Sequence, residues 1–152
     1  MGWGAEQADA ITKAEEKVRK DRDWHLYASG RIKAECRSLF CLLSDQISAY
    51  VKEFTEARGD RSIDCKREDG SIEITKASIP TKYLRLSLDS GQGFVTVFKR
   101  TTDGHSAATN ECDKLSFAVD KDGIVHFYLY ADYPMLAQHL LSDVFGSCLP
   151  DR

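Results

Sequence analysis

Between Ile32 and Phe54 the apolar side chains fall at Ile32, Cys36, Leu39, Phe40, Leu43, Ile47, Tyr50, Val51 and Phe54. Steps of three and four residues lay them along one face of a helix. Arg31, Lys33, Arg37, Asp45, Lys52 and Glu56 take the opposite side, where water solvates them. The spacing predicts a helix over residues 24–57, stopped by Gly59 just past the last apolar turn. Ser29-Gly30 offers a place for a break, because Ser caps helices and Gly costs about 1 kcal/mol relative to Ala in a helix interior. Upstream, residues 5–22 are rich in Ala, Glu and Lys, with apolar positions at Ala8, Ile11, Ala14 and Val18. These share one face, but side chains this small give weak burial. A helical extension is expected there, docked loosely or used between chains.

The middle of the chain changes period. Ile63 to Lys66 and Ile72 to Lys76 flank Glu68-Asp69-Gly70, whose Asp-Gly pair signals a hairpin. Pro80 interrupts, and after it Leu84, Leu86 and Leu88 alternate with Tyr83, Arg85 and Ser87, the period of two of a half-buried strand. A turn through Asp89-Ser90-Gly91-Gln92-Gly93 leads to an aromatic and β-branched run from Phe94 to Arg100. Residues 101–113 read as a polar loop. Leu115, Phe117 and Val119 alternate again, and Asp120-Lys121-Asp122-Gly123 closes a hairpin onto Ile124 to Tyr130. No helical crossover separates these strands, so the sheet should be antiparallel. Asp132-Tyr133-Pro134 starts a last helix, with Leu136, Leu140, Leu141 and Val144 on its apolar face and Gly146 at its end.

The expected fold class is α+β: an antiparallel five- or six-stranded meander packed on a long N-terminal helix, with a short C-terminal helix. Residues 1–23 are the helical extension, 24–146 a single domain and 147–152 a tail. Leu39, Leu43, Ile47, Leu86, Phe117 and Phe127 are expected in one core.

Composition narrows the functional classes more than it selects one. The 152 residues carry 21 Lys and Arg against 24 Asp and Glu, a net charge of −3, whereas nucleic-acid binders usually show a basic excess. No nucleic-acid partner is expected. No apolar run approaches the roughly 18 residues of a membrane span, and the first residues lack a basic-then-apolar leader. Cys36, Cys41, Cys65, Cys112 and Cys148 are odd in number and scattered, unlike a secreted disulfide framework. Reduced thiols in a cytoplasm are the expectation, and no Cys-x-x-Cys or His-x3-His spacing suggests a metal.

Chemical motifs are few. Gly91-x-Gly93 precedes a strand rather than a helix, which makes it a turn and not a dinucleotide loop. Asp120, Asp122 and Gly123 lack the spacing and closing Glu of a calcium loop. No cofactor and no catalytic residue is expected. If Val125, Phe127 and Leu129 pack under the long helix, His126, Tyr128 and Tyr130 point to the second sheet face, with Tyr83 and either Phe94 or Phe98. The C-terminal helix is the expected cover for that aromatic face. A partner chain or a ligand are the other covers. Three functional readings follow. The leading one is a non-catalytic cytoplasmic interaction or regulatory module that binds a protein partner or itself. The second is a small-molecule binder whose cavity lies between sheet and helix, with Tyr83, His126, Tyr128 and Tyr130 as binding residues. The third is a hydrolase or isomerase using His126 with a carboxylate of a neighbouring strand.

Overall fold

A computed structural model describes residues 2–59, 63–77, 80–104, 107–128 and 132–145. Its first element is one uninterrupted helix, α1, Trp3–Arg58, of 56 residues. At about 1.5 Å per residue it runs roughly 84 Å. Ser29-Gly30 does not break it: a single Gly costs about 1 kcal/mol, which good helix formers on both sides offset. Gly59 closes the helix with φ 65°, a conformation that only residues without a Cβ adopt freely.

Six strands follow: β1 Ile63–Glu68, β2 Ser71–Lys76, β3 Thr81–Asp89, β4 Phe94–Thr102, β5 Thr109–Val119 and β6 Val125–Phe127. They form one antiparallel sheet whose spatial order is their chain order. The helix α2, Tyr133–Phe145, completes the α+β fold. The strand boundaries differ most from the sequence reading at β5 and β6. The polar stretch expected as a loop through Asp113 is strand from Thr109 onward, with Thr109 level with Thr101. The side chains of Thr109–Lys114 are exposed, so no hydrophobic alternation marks the segment. β6 is short, although the Tyr128 amide still donates to the Ser116 carbonyl at 2.8 Å.

One face of the sheet is the core. Ile72, Ile74, Leu84, Leu86, Val95, Val97, Phe117, Val125 and Phe127 are buried there with Cys36, Phe40, Leu43, Ile47 and Val51 of α1. Leu39 sits at the margin, half-buried. The expectation that α2 covers the second face is overturned. Leu136, Ala137, Leu140, Leu141, Val144 and Phe145 of α2 join the same core as α1, and Phe145 stacks on Phe54 with centroids 4.1 Å apart. Geometry gives the reason. Six strands at about 4.8 Å spacing present a face about 24 Å wide, while one helix covers about 10 Å of it. A second helix is needed on that side before any can be spared for the other. Among the described residues no helix is long and apolar enough to cross a membrane.

Candidate functional site

The core-facing stripe of α1 ends before the helix does. Residues 2–27 are exposed along their whole length. Stepping by 100° per residue, Ile11, Ala14, Val18 and His25 lie in line with Cys36, Leu43 and Ile47, so the stripe that faces the sheet continues onto a segment with no sheet opposite it. The root of this arm is held firmly. Arg31 donates from Nε and Nη2 to the Gly123 carbonyl at 3.4 and 3.3 Å. The Tyr27 hydroxyl lies over Gly123, close enough that a Cβ there would meet it at 2.9 Å, and Ile32 lies equally close to Gly93. Both glycines have positive φ, 80° and 75°, so each turn closes under the helix only because it lacks a side chain. Three contacts to two strand turns fix the direction in which residues 3–26 leave the domain.

That arm carries most of the exposed large apolar side chains among the described residues: Trp3, Ile11, Val18, Trp24, Leu26 and Tyr27, between 42% and 76% exposed. The sequence reading found Ile11 and Val18 but assigned Trp24, Leu26 and Tyr27 to the folded domain. A signal was present. Residues 24, 26 and 27 point in three directions around a helix, so one domain face cannot bury them all.

The residues singled out on the second sheet face are not gathered at one point. Tyr83 is half-buried on the outer face of β3, edge-on to Phe98 with centroids 6.0 Å apart. Burial first, and a hydrogen bond with Glu73 second, push its phenol above the usual range. His126 is half-buried on β6, paired with Ala118 in the ladder, and its Nδ1 lies 2.9 Å from the Phe127 carbonyl. The register sets no carboxylate opposite it. Tyr83 is level with Arg100, and Arg100 with Asn110; from Asn110 to Ala118 is eight residues, about 27 Å along a strand. Tyr83 and His126 therefore occupy opposite ends of the sheet. Tyr128 is 57% exposed. Tyr130, with Leu129, His105, Gly146 and the tail, lies outside the described residues.

The outer face is built of cation–aromatic pairs. The Lys114 ammonium lies 4.5 Å from the Phe94 centroid and the Arg100 guanidinium 5.7 Å from that of Phe98. Long cationic stems thus cover part of the aromatic surface themselves, with their charges in water. Tyr128 instead contributes to a cleft of about 290 Å³ between β4, β5 and α2, lined also by Lys99, Glu111, Asp113, Leu136 and His139. Among the described residues no group of three or more His, Cys, Asp or Glu is placed to hold a metal ion. Comparison of the chain with family models, curated proteins and solved structures found no match.

Proposed function

We propose that the protein is a non-catalytic interaction module, with the projecting N-terminal half of α1 as its docking element. The observation that carries this reading is the arm itself. A helical segment of about 24 residues, some 36 Å long, holds its apolar stripe away from the core on a root clamped to Gly93 and Gly123. In proteins most helical stability comes from packing an amphipathic face, so a helix in this position is suited to meeting a partner. Cys36, Cys41, Cys65 and Cys112 are free thiols, which supports placing the module in a reducing compartment such as a cytoplasm.

The test is a photo-crosslinking residue at position 14 of the full chain, irradiated in the cells that express it. A discrete protein adduct is expected, and it should disappear when Ile11→Asp is added. No adduct at positions 14 and 18 would refute the docking role. A second reading, small-molecule binding, is favoured by the cleft that Tyr128 shares with His139, Glu111 and Asp113. Its volume of about 290 Å³ is at the small end of ligand pockets. A library of small polar compounds should shift the amide resonances of Leu136 and Leu115 if that reading holds, and leave them in place if it does not.

A further inference from the structure

We propose that Cys41 is a redox-modification site: a neutral hydroperoxide oxidises its thiol to a sulfenic acid, Arg67 holds the charge that moves during the step, and Ser44 meets the new hydroxyl. The inference goes beyond the docking role and draws on a different part of the chain. Cys41 and Asp45 are four residues apart on α1, so their side chains stand one above the other. Arg67 of β1 reaches across to both. Its Nη1 pairs with the Asp45 carboxylate, while its Nη2 donates to Cys41 Sγ at 3.1 Å and to the Cys41 carbonyl at 3.3 Å. Cys36, Cys41, Cys65 and Cys112 are the free thiols among the described residues, and the exposed Cys41 alone has a guanidinium hydrogen-bonded to its sulfur.

A cavity of about 360 Å³ adjoins that thiol, walled by Phe40, Cys41 and Ser44 of α1 and by Arg67 to Gly70 of the β1–β2 hairpin. Arg37, also in the wall, is taken up by Asp69 at 2.9 Å, as Arg67 is by Asp45, which leaves Glu68 as the unbalanced charge. Such a wall repels anions and admits a neutral oxidant. Ser44 supplies an independent sign that the cavity takes a polar group. It is 1% exposed, and its hydroxyl has no hydrogen-bond partner among the described residues. Three residues on from Cys41, it lies where helix side chains meet; a thiol is a weak partner for it, whereas an S–OH group both donates and accepts well. In the step, the Cys41 sulfur attacks one peroxide oxygen, the S–O bond forms as the O–O bond breaks, and the thiol proton ends on the leaving oxygen. With hydrogen peroxide the products are the sulfenic acid and water, sulfur losing the two electrons that the peroxide gains. Negative charge passes from sulfur to the leaving oxygen beside the Arg67 donor, which is positioned for it before the reaction begins. Sulfenic acid is the reversible stage of cysteine oxidation, returned to the thiol by other thiols.

The test adds hydrogen peroxide to the reduced full chain, traps sulfenic acid with dimedone and reads each cysteine separately by peptide mass spectrometry. Cys112 is the internal reference, being exposed on β5 with no base hydrogen-bonded to its sulfur among the described residues. Loss of a positioned donor costs about 10²–10³ in rate at enclosed sites, and solvent screening at this exposed one reduces the expected effect to about tenfold. Cys41 should therefore label about tenfold faster than Cys112, and Arg67→Gln should bring it down to the rate of Cys112. Arg37→Gln removes an equal charge from the same wall without touching the sulfur, and should leave the Cys41 rate nearly unchanged. Ser44→Ala should shorten the life of the sulfenic form, seen as faster passage to sulfinic acid in excess peroxide. Equal labelling of Cys41 and Cys112, an Arg67→Gln chain that reacts as fast as the natural one, equal losses from Arg37→Gln and Arg67→Gln, or a sulfenic lifetime indifferent to Ser44→Ala would each overturn the inference.

Discussion

At the scale of single residues, position relative to the two covering helices decides what a side chain is worth. Leu43 is fully buried between α1 and the sheet, whereas Leu39 belongs to the same sequence stripe but sits at its edge. Leu43→Ala should therefore cost about 2–5 kcal/mol in denaturant unfolding, and Leu39→Ala distinctly less. Equal losses at the two positions would contradict the facing described above. Ser44 is a different case. It is 1% exposed, and its hydroxyl oxygen has no hydrogen-bond partner among the described residues. A buried polar group left unpaired costs about 1–3 kcal/mol, and Ala is also the better helix former. Ser44→Ala should raise stability by about 1 kcal/mol in the same assay, and a loss would mean the hydroxyl is satisfied in solution. The periodicity of α1 named Leu43 as core, but it could not separate Leu43 from Leu39, because both lie on the stripe and only the position of the strands beneath tells them apart.

At the scale of elements, α1 is one helix serving two environments. Its second half is held by the core, while residues 2–26 are exposed. Ile11→Asp and Val18→Asp, each made alone, should leave the unfolding midpoint of the monomeric domain unchanged within about 0.5 kcal/mol. Hydrogen exchange should show slow amides from Cys36 to Val51 and faster exchange between Ile11 and Val18 in the isolated chain. Concentration-independent slow exchange over Ile11–Val18 would show that the arm is stabilised within its own chain. The strands were legible where burial imposes alternation, as at Leu84, Leu86 and Leu88. They were illegible at Thr109–Lys114, whose side chains are exposed and show no hydrophobic alternation.

At the scale of the whole molecule, both helices lie on one face of the sheet, and on the other Lys114 and Arg100 lie over Phe94 and Phe98. The consequence for pH runs through Tyr83. Its pKa is raised in the folded protein by burial and by Glu73, so the folded state holds the phenol proton more tightly than the unfolded one. The stability this contributes is fully present below the ordinary tyrosine pKa and is lost as pH rises through the raised value. Tyr83→Phe should flatten the alkaline limb of a stability–pH curve. An unchanged limb would show that Tyr83 is solvated like a free phenol. Strand parity put Tyr83 and His126 on one sheet face, yet parity carries no information about distance along or across strands. The sequence reading accordingly placed them together, and the register keeps them at opposite ends.

The amino-acid sequence by itself determined the helix stripe, the hairpin order and the fold class, because each depends on spacing between near neighbours and on turn residues such as Asp69-Gly70 and Asp122-Gly123. It also determined the thinness of the stripe before residue 24. Only the tertiary structure decided that α1 continues through Ser29-Gly30, that α2 shares the core face with it, and where that face ends. Those outcomes depend on the width of a six-stranded sheet set against the diameter of a helix. They depend equally on two strand turns, at Gly93 and Gly123, that meet α1 from segments more than sixty residues away in the chain. Contacts at that separation leave no periodic trace in the sequence, and the free length of the arm follows from them.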